Sequence, residues 1–145
     1  MKAAVFYGTR DLRIEERAVP EVTAGNVLIH VGACGICGTD RHIYYGEFAT
    51  APPVIIGHEY AGTVAAVGAG VGDLAPGDRV AVDPNMPCGV CRPCRRGRIH
   101  LCENLRALGV DMDGGFAEYS LVPRSQCFPL PEGVSLEAGA MTEPL

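Results

Sequence analysis

The sequence predicts a mainly β fold with short helices, and three observations predict it. Nineteen glycines and eleven prolines punctuate short apolar runs, which leaves no room for a long amphipathic helix. Several of those runs alternate apolar and polar residues with the period of two expected of half-buried strands. The 145 residues, 48% hydrophobic and 20% charged, suffice for one core of ordinary composition. Many short strands joined by turns argue for a small barrel or sandwich.

The elements follow in order. Lys2 to Tyr7 reads as a strand, and Leu12, Ile14 and Glu16 alternate as its hairpin partner. Val27, Ile29 and Val31 alternate again. Thr63 to Val67 and Arg79 to Val82 are further strands. Phe116 to Val122 is another, entered through the turn Asp113-Gly114-Gly115. Ser135 is placed to cap a helix beginning near Leu136. The chain then reaches Glu143-Pro144-Leu145 with that helix barely complete, so these residues read as part of something larger.

Composition narrows the function. A net charge of -5 gives no electrostatic case for nucleic acid. The local exception, Arg92, Arg95, Arg96 and Arg98, reads as a solvated face screening nearby thiolates. No apolar run approaches the ~18 residues of a membrane span, and Gly8 breaks the N-terminal run too early for a signal peptide. Seven cysteines, six of them in two close groups, favour metal ligation in a reducing cytoplasm over a disulfide framework.

The tighter group is Cys88, Cys91, Cys94 and Cys102. Four thiolates on short spacers make a closed tetrahedral cage suited to Zn(II), a staple with no open position for chemistry. An iron–sulfur centre is the competing reading. The bacterial ferredoxin run, however, has a third gap of three residues and a proline after its last cysteine. Here seven residues separate Cys94 from Cys102, and Glu103 follows. Pro87 and Pro93 stiffen the loop.

Cys34 and Cys37 form a second C-x-x-C. A redox pair is one reading; such pairs sit where a strand enters a long helix, which the sequence does not suggest here. The other reading joins a thiol to Gly57-His58-Glu59, which follows the apolar Val54-Ile55-Ile56. A buried charge needs a partner, and Cys, His and carboxylate make the donor set of a catalytic zinc site.

Cys37-Gly38-Thr39-Asp40 with His42, the run from Gly57-His58-Glu59 to Gly68, Gly77-Asp78-Arg79-Val80 and the cysteine loop together resemble the zinc-containing medium-chain alcohol dehydrogenase family. The resemblance spans the chain. Asp83-Pro84-Asn85 and Glu143-Pro144-Leu145 suggest its polyol (sorbitol), threonine and secondary-alcohol branch. It implies a GroES-like β-barrel with a structural zinc loop over residues 1–145 and a Rossmann cofactor domain outside this chain. It implies Cys37 and His58 as ligands of a catalytic zinc, Glu59 as a third ligand or one that exchanges with water, and Glu143 as a fourth ligand or the residue that holds the zinc-bound water; Cys88, Cys91, Cys94 and Cys102 become ligands of a structural zinc. Glu143 stands where Cys₂His alcohol dehydrogenases place their second cysteine. Thr39 and His42 become a proton relay, and Asp40 a carboxylate that orients His58. Cys34 and Cys127 have no ligand role and read as small buried residues.

The implied reaction is oxidation of a small alcohol, polyol or hydroxy amino acid, with zinc as Lewis acid and NAD or NADP as hydride acceptor. The implied protein is a cytoplasmic homo-oligomer with no membrane partner. Gly68-Ala69-Gly70-Val71-Gly72 is one residue short of a dinucleotide fingerprint and runs into Pro76-Gly77, so it reads as a turn between strands. The 145 residues alone are therefore expected to be inactive. A stand-alone zinc-stapled barrel used for binding is the alternative, and it would hold one zinc where the catalytic lobe holds two.

Overall fold

A computed structural model describes residues 1–145. It is mainly β with three short helices, as the sequence predicts. β1 (Lys2–Gly8) pairs with β2 (Asp11–Glu16) as a hairpin, then β3 (Asn26–Cys34) leads into helix α1 (Gly38–Tyr45). β4 (Val54–Ile55), β5 (Tyr60–Val67), β6 (Arg79–Val82) and β7 (Asn85–Met86) follow. Helix α2 (Arg92–Arg95) and a 3₁₀ turn (Ile99–Leu101) lie in the cysteine loop. β8 (Arg106–Ala107), β9 (Tyr119–Pro123), β10 (Cys127–Pro129) and helix α3 (Leu136–Ala140) complete the chain.

The strands make a three-stranded sheet in the order β2-β1-β4 and a five-stranded sheet in the order β10-β6-β5-β3-β9, antiparallel throughout. Residues 116–118 stitch the two together. Ala4 N–H donates to Phe116 O at 2.8 Å, Glu118 N–H donates to Lys2 O at 3.1 Å, and Ala3 bridges Ala117. The long strand expected from Phe116 therefore starts its ladder only at Tyr119, because Phe116 and Ala117 serve β1 and Glu118 is shared, its N–H going to Lys2 O and its carbonyl accepting from Val31 N–H of β3 at 2.9 Å.

Alternation decides which side chains meet. Val27, Ile29, Val64, Val80, Val82 and Val122 close one apolar core. A second core lies under the site: Phe6, Ile43, Val54, Ile56 and Val110. Ile43 is fully buried and joins α1 to the strand that leads to His58. Burial of such a side chain is worth about 1.5–3 kcal/mol, enough to set where an eight-residue helix sits. The outer alternation of β2 goes unused, since Leu12 and Ile14 face solvent. Gly68 lies against the Thr23 carbonyl in the predicted turn between strands.

β7 and β8 pair only through Asn85–Ala107 and Met86–Arg106. That short ladder is the neck from which the cysteine loop projects.

Candidate metal sites and active-site cleft

Cys37 is the N-cap of α1. Its sulfur accepts from Thr39 N–H at 3.4 Å, and its own N–H donates to Asp40 Oδ2 at 2.8 Å, a reciprocal capping box built on a cysteine. Gly46 ends the helix in the left-handed conformation, with φ at 74°. The sequence reading missed this helix. Its signal is the capping pattern Cys37-Gly38-Thr39-Asp40, whose residues carry ligand, relay and orienting roles in the family resemblance.

The same helix bears on the other C-x-x-C reading. Cys34 ends β3 and Cys37 opens α1, but α1 has only eight residues and β3 pairs antiparallel on both sides, so the long helix of a redox-pair setting is absent, as the sequence suggests. Desolvation pushes the Cys34 thiol up to about 12, with Asp40 and Glu59 adding to the effect. A thiol held protonated in this way does not serve as a redox nucleophile.

His58 follows Gly57 and is buried together with Glu59. The donor atoms of Cys37, His58 and Glu59 lie within 4.8 Å of one another. Asp40 Oδ1 stands 3.5 Å from His58 Nδ1; both atoms are buried, and neither has a hydrogen-bond partner. The Asp40 carboxylate pushes His58 up to about 9, against the opposing effect of burial. Two orphaned polar atoms beside a thiol and a carboxylate fit a bound cation, which would engage the ring and leave its other nitrogen to Asp40.

Glu143 is not part of that tight group. It lines the same cleft, of about 430 Å³, as Thr39, Phe48, His58, Asn85 and Arg106. Burial raises its carboxyl pKa, His58 opposes the shift, and Glu59 and Asp83 add to it. His42 does not line the cleft; it is exposed, with Nδ1 2.7 Å from Glu47 Oε2. Tyr44 and Tyr45 pack edge to face at the end of α1, with Arg10 and Arg41 over the Tyr45 ring. Of the three aromatic side chains near this turn, Phe48 is the one on the cleft.

The second cluster holds Cys88, Cys91, Cys94 and Cys102, again within 4.8 Å. Cys88 N–H donates to Cys102 Sγ at 3.2 Å, and Cys91 N–H to Cys88 Sγ at 3.4 Å. Backbone N–H groups of Val90 and Cys91 draw the Cys88 thiol down to about 6. Desolvation and the neighbouring Cys91 and Cys102 push Cys94 up to about 12. All seven cysteines are free, and four sulfurs gathered in this way fit a tetrahedral soft cation. Arg92, Arg95, Arg96 and Arg98 are exposed and form no salt bridge, as a solvated face requires.

Residues 23–132 match the alcohol dehydrogenase GroES-like domain. The chain belongs to that family. This GroES-like lobe is 42% identical to the sorbitol dehydrogenase of Bacillus subtilis, over 99% of this chain and 42% of that protein. It is 44% identical to the L-threonine 3-dehydrogenase of Thermococcus kodakarensis, over 100% of this chain and 42% of that protein. A Sinorhizobium meliloti 1021 structure described as a zinc-binding dehydrogenase bound to NADP superposes with a TM-score of 0.96. It has 48% sequence identity and is matched over 99% of this chain and 42% of its own. The lobe thus spans under half the length of the relatives it matches. The family resemblance read from the sequence, to the zinc-containing medium-chain alcohol dehydrogenases, is borne out by relatives matched over the whole chain. No helix is long and apolar enough to cross a membrane.

Asp40 offers a direct test of the first cluster. Asp40→Asn keeps a cap acceptor for Cys37 N–H but removes the charge facing His58. Zinc affinity at that cluster should fall about 10- to 100-fold in chelator competition. Unchanged affinity would reduce Asp40 to a helix cap.

Proposed function

We propose that this lobe is the catalytic half of a cytoplasmic NAD- or NADP-dependent dehydrogenase acting on an alcohol, polyol or hydroxy amino acid. The observation that carries the reading is the Cys37, His58 and Glu59 group, whose His58 lines a cleft that also presents Thr39 and Glu143. Cys37 and His58 would hold a zinc ion there, with Glu59 and Glu143 the two carboxylates available to complete the set, and the ion would supply a Lewis acid for an alcohol oxygen. Asp40 fixes the His58 ring.

Thr39 receives the hydroxyl proton at Oγ1 in the cleft. His42 lies three residues on along α1 and therefore on a neighbouring part of its surface. Its contact with Glu47 sets which ring nitrogen is free to pass the proton on to solvent. Phe48 supplies an apolar wall. NAD or NADP, which a separate Rossmann domain would hold, would supply the acceptor for the substrate's hydride. The four-cysteine loop would hold a second, non-reacting zinc.

Metal analysis together with turnover tests this reading. The folded protein should bind about two zinc ions per chain, and the enzyme carrying the cofactor domain should oxidise secondary alcohols or polyols. A single zinc, confined to the four-cysteine loop, would sink the proposal and leave a binding module. In that enzyme, Thr39→Val should lower turnover about 100-fold while zinc content stays unchanged, since it removes a proton path and no ligand.

A further inference from the structure

Four buried glycines meet beside the site: Gly57, Gly109, Gly114 and Gly115. Gly57 immediately precedes His58, has a φ of +91°, and would drive a Cβ to within 2.5–2.8 Å of the Phe116 ring. A Cβ on Gly109, at φ +77°, would meet the Gly57 carbonyl, with its carbon at 2.5 Å. A Cβ on Gly114 would strike the same carbonyl oxygen, and one on Gly115 would lie 2.5 Å from the Tyr60 ring.

Hydrogen bonds tie the same segments together. Ile55 N–H donates to Asp113 Oδ1 at 2.9 Å. Gly114 N–H donates to Ile55 O at 2.8 Å, Phe116 N–H to Ile56 O at 3.0 Å, and Gly115 N–H to Gly57 O at 2.8 Å. Tyr60 is held further on by Ser120, with oxygens 3.0 Å apart. One segment, Gly109 to Phe116, therefore grips the residues on both sides of the pair His58-Glu59. Val110 of that segment packs with Ile43 of α1 and Ile56, so it also buttresses the helix that begins at Cys37.

A tight turn for its own sake would need φ-tolerant glycines at its corner. Gly109 does sit at φ +77°, but Gly114 has no such φ, and at both positions a Cβ is excluded by the backbone of a residue distant in sequence, Gly57, the one that delivers His58. We infer that Gly109–Phe116 is a positioning clamp for the His58-Glu59 half of the proposed catalytic metal site, an inference that rests on that site's being a metal site. The clamp sets where His58 and Glu59 stand relative to Cys37, which reaches the site on a separate element. Gly109, Gly114 and Gly115 do not line the cleft and act through Gly57 and Tyr60, while Val110 and Asp111 of the same segment lie on the cleft wall.

Three variants test it, with zinc retained at the four-cysteine loop as an internal reference. Gly114→Ala crowds the Gly57 carbonyl, Asp113→Ala removes the side-chain bond to Ile55, and Asp113→Asn keeps an acceptor there. Cobalt(II) is titrated into the Cys37, His58 and Glu59 site, followed by its visible d–d absorption and by chelator competition. Gly114→Ala should lower affinity about tenfold or more and shift the cobalt band; Asp113→Ala should lower it by a smaller factor; Asp113→Asn should restore it. Wild-type affinity and band in both Gly114→Ala and Asp113→Ala would overturn the clamp. So would loss of both ions together in Asp113→Ala, which would show a fold-wide role. If Gly114→Ala does not fold, the two Asp113 variants decide. Failure of the unaltered protein to bind cobalt at this site would overturn the underlying site, and the clamp with it.

Discussion

Cys37→Ser is expected to take the protein from about two zinc ions per chain to about one, and to cost the complete enzyme roughly 1000-fold or more in turnover. The size follows from what the thiolate does. It is the one sulfur donor in a group otherwise made of His58 and Glu59, and it is fixed in place as the N-cap of α1. Serine is itself a favoured N-cap, so Thr39 N–H keeps an acceptor and α1 keeps its start. The substitution therefore separates loss of metal from loss of helix. His58→Ala should remove the same ion but is the less clean test. It leaves the buried Asp40 carboxylate without its facing ring, at a cost of about 1–3 kcal/mol or more in stability. Near-normal metal content and rate in Cys37→Ser would remove the catalytic reading at its root.

What the sequence made legible divides by the range of the interactions. β1, β3 and β6 are readable because the period of two is local and each strand's apolar face finds a core. The Ser135 cap is readable for the same reason; its hydroxyl accepts from Ala138 N–H at 3.2 Å. The four-cysteine cage is readable because all its donors come from one loop. The start of β9 was misplaced because residues 116–118 answer to β1 at the other end of the chain. Helix α1 was missed because its cap is a cysteine, a residue whose first meaning in a motif is ligation.

Cys37, His58 and Glu59 come from two elements, and nothing in their spacing says that they meet. Resemblance to a family supplied that, and geometry then drew a finer line. It gathers three donors tightly, sets Glu143 across the same cleft, and turns His42 toward Glu47. The glycine clamp was illegible for a plainer reason. Gly114 and Gly115 read as a turn into a strand, and the carbonyl they make room for belongs to a residue in another part of the chain.

The second large effect is expected at the other cluster. Cys91→Ser should release the order of the cysteine loop while leaving the barrel folded. Between Cys88 and Cys102 only Cys91 is buried, and the regular structure amounts to a four-residue helix and a three-residue 3₁₀ turn. No apolar core lies beneath these residues, so N–H···S bonds and the bound ion are what hold them. Structural zinc in small peptides contributes an apparent ~10–16 kcal/mol, as large as the whole stability of a domain, and here that energy acts on one loop. The disorder should stop at the β7–β8 neck, because the Val27–Val122 core makes no use of the loop. Trypsin reports this directly. Arg95, Arg96 and Arg98 are exposed, and cleavage there should accelerate at least about tenfold in Cys91→Ser, with barrel fragments surviving. Asn85, Arg106 and Ala107 belong both to the neck and to the cleft wall, so loosening the loop should also weaken substrate binding while metal stays at Cys37 and His58. A barrel that melts with the loop in one cooperative step would show instead that the cage is part of the core.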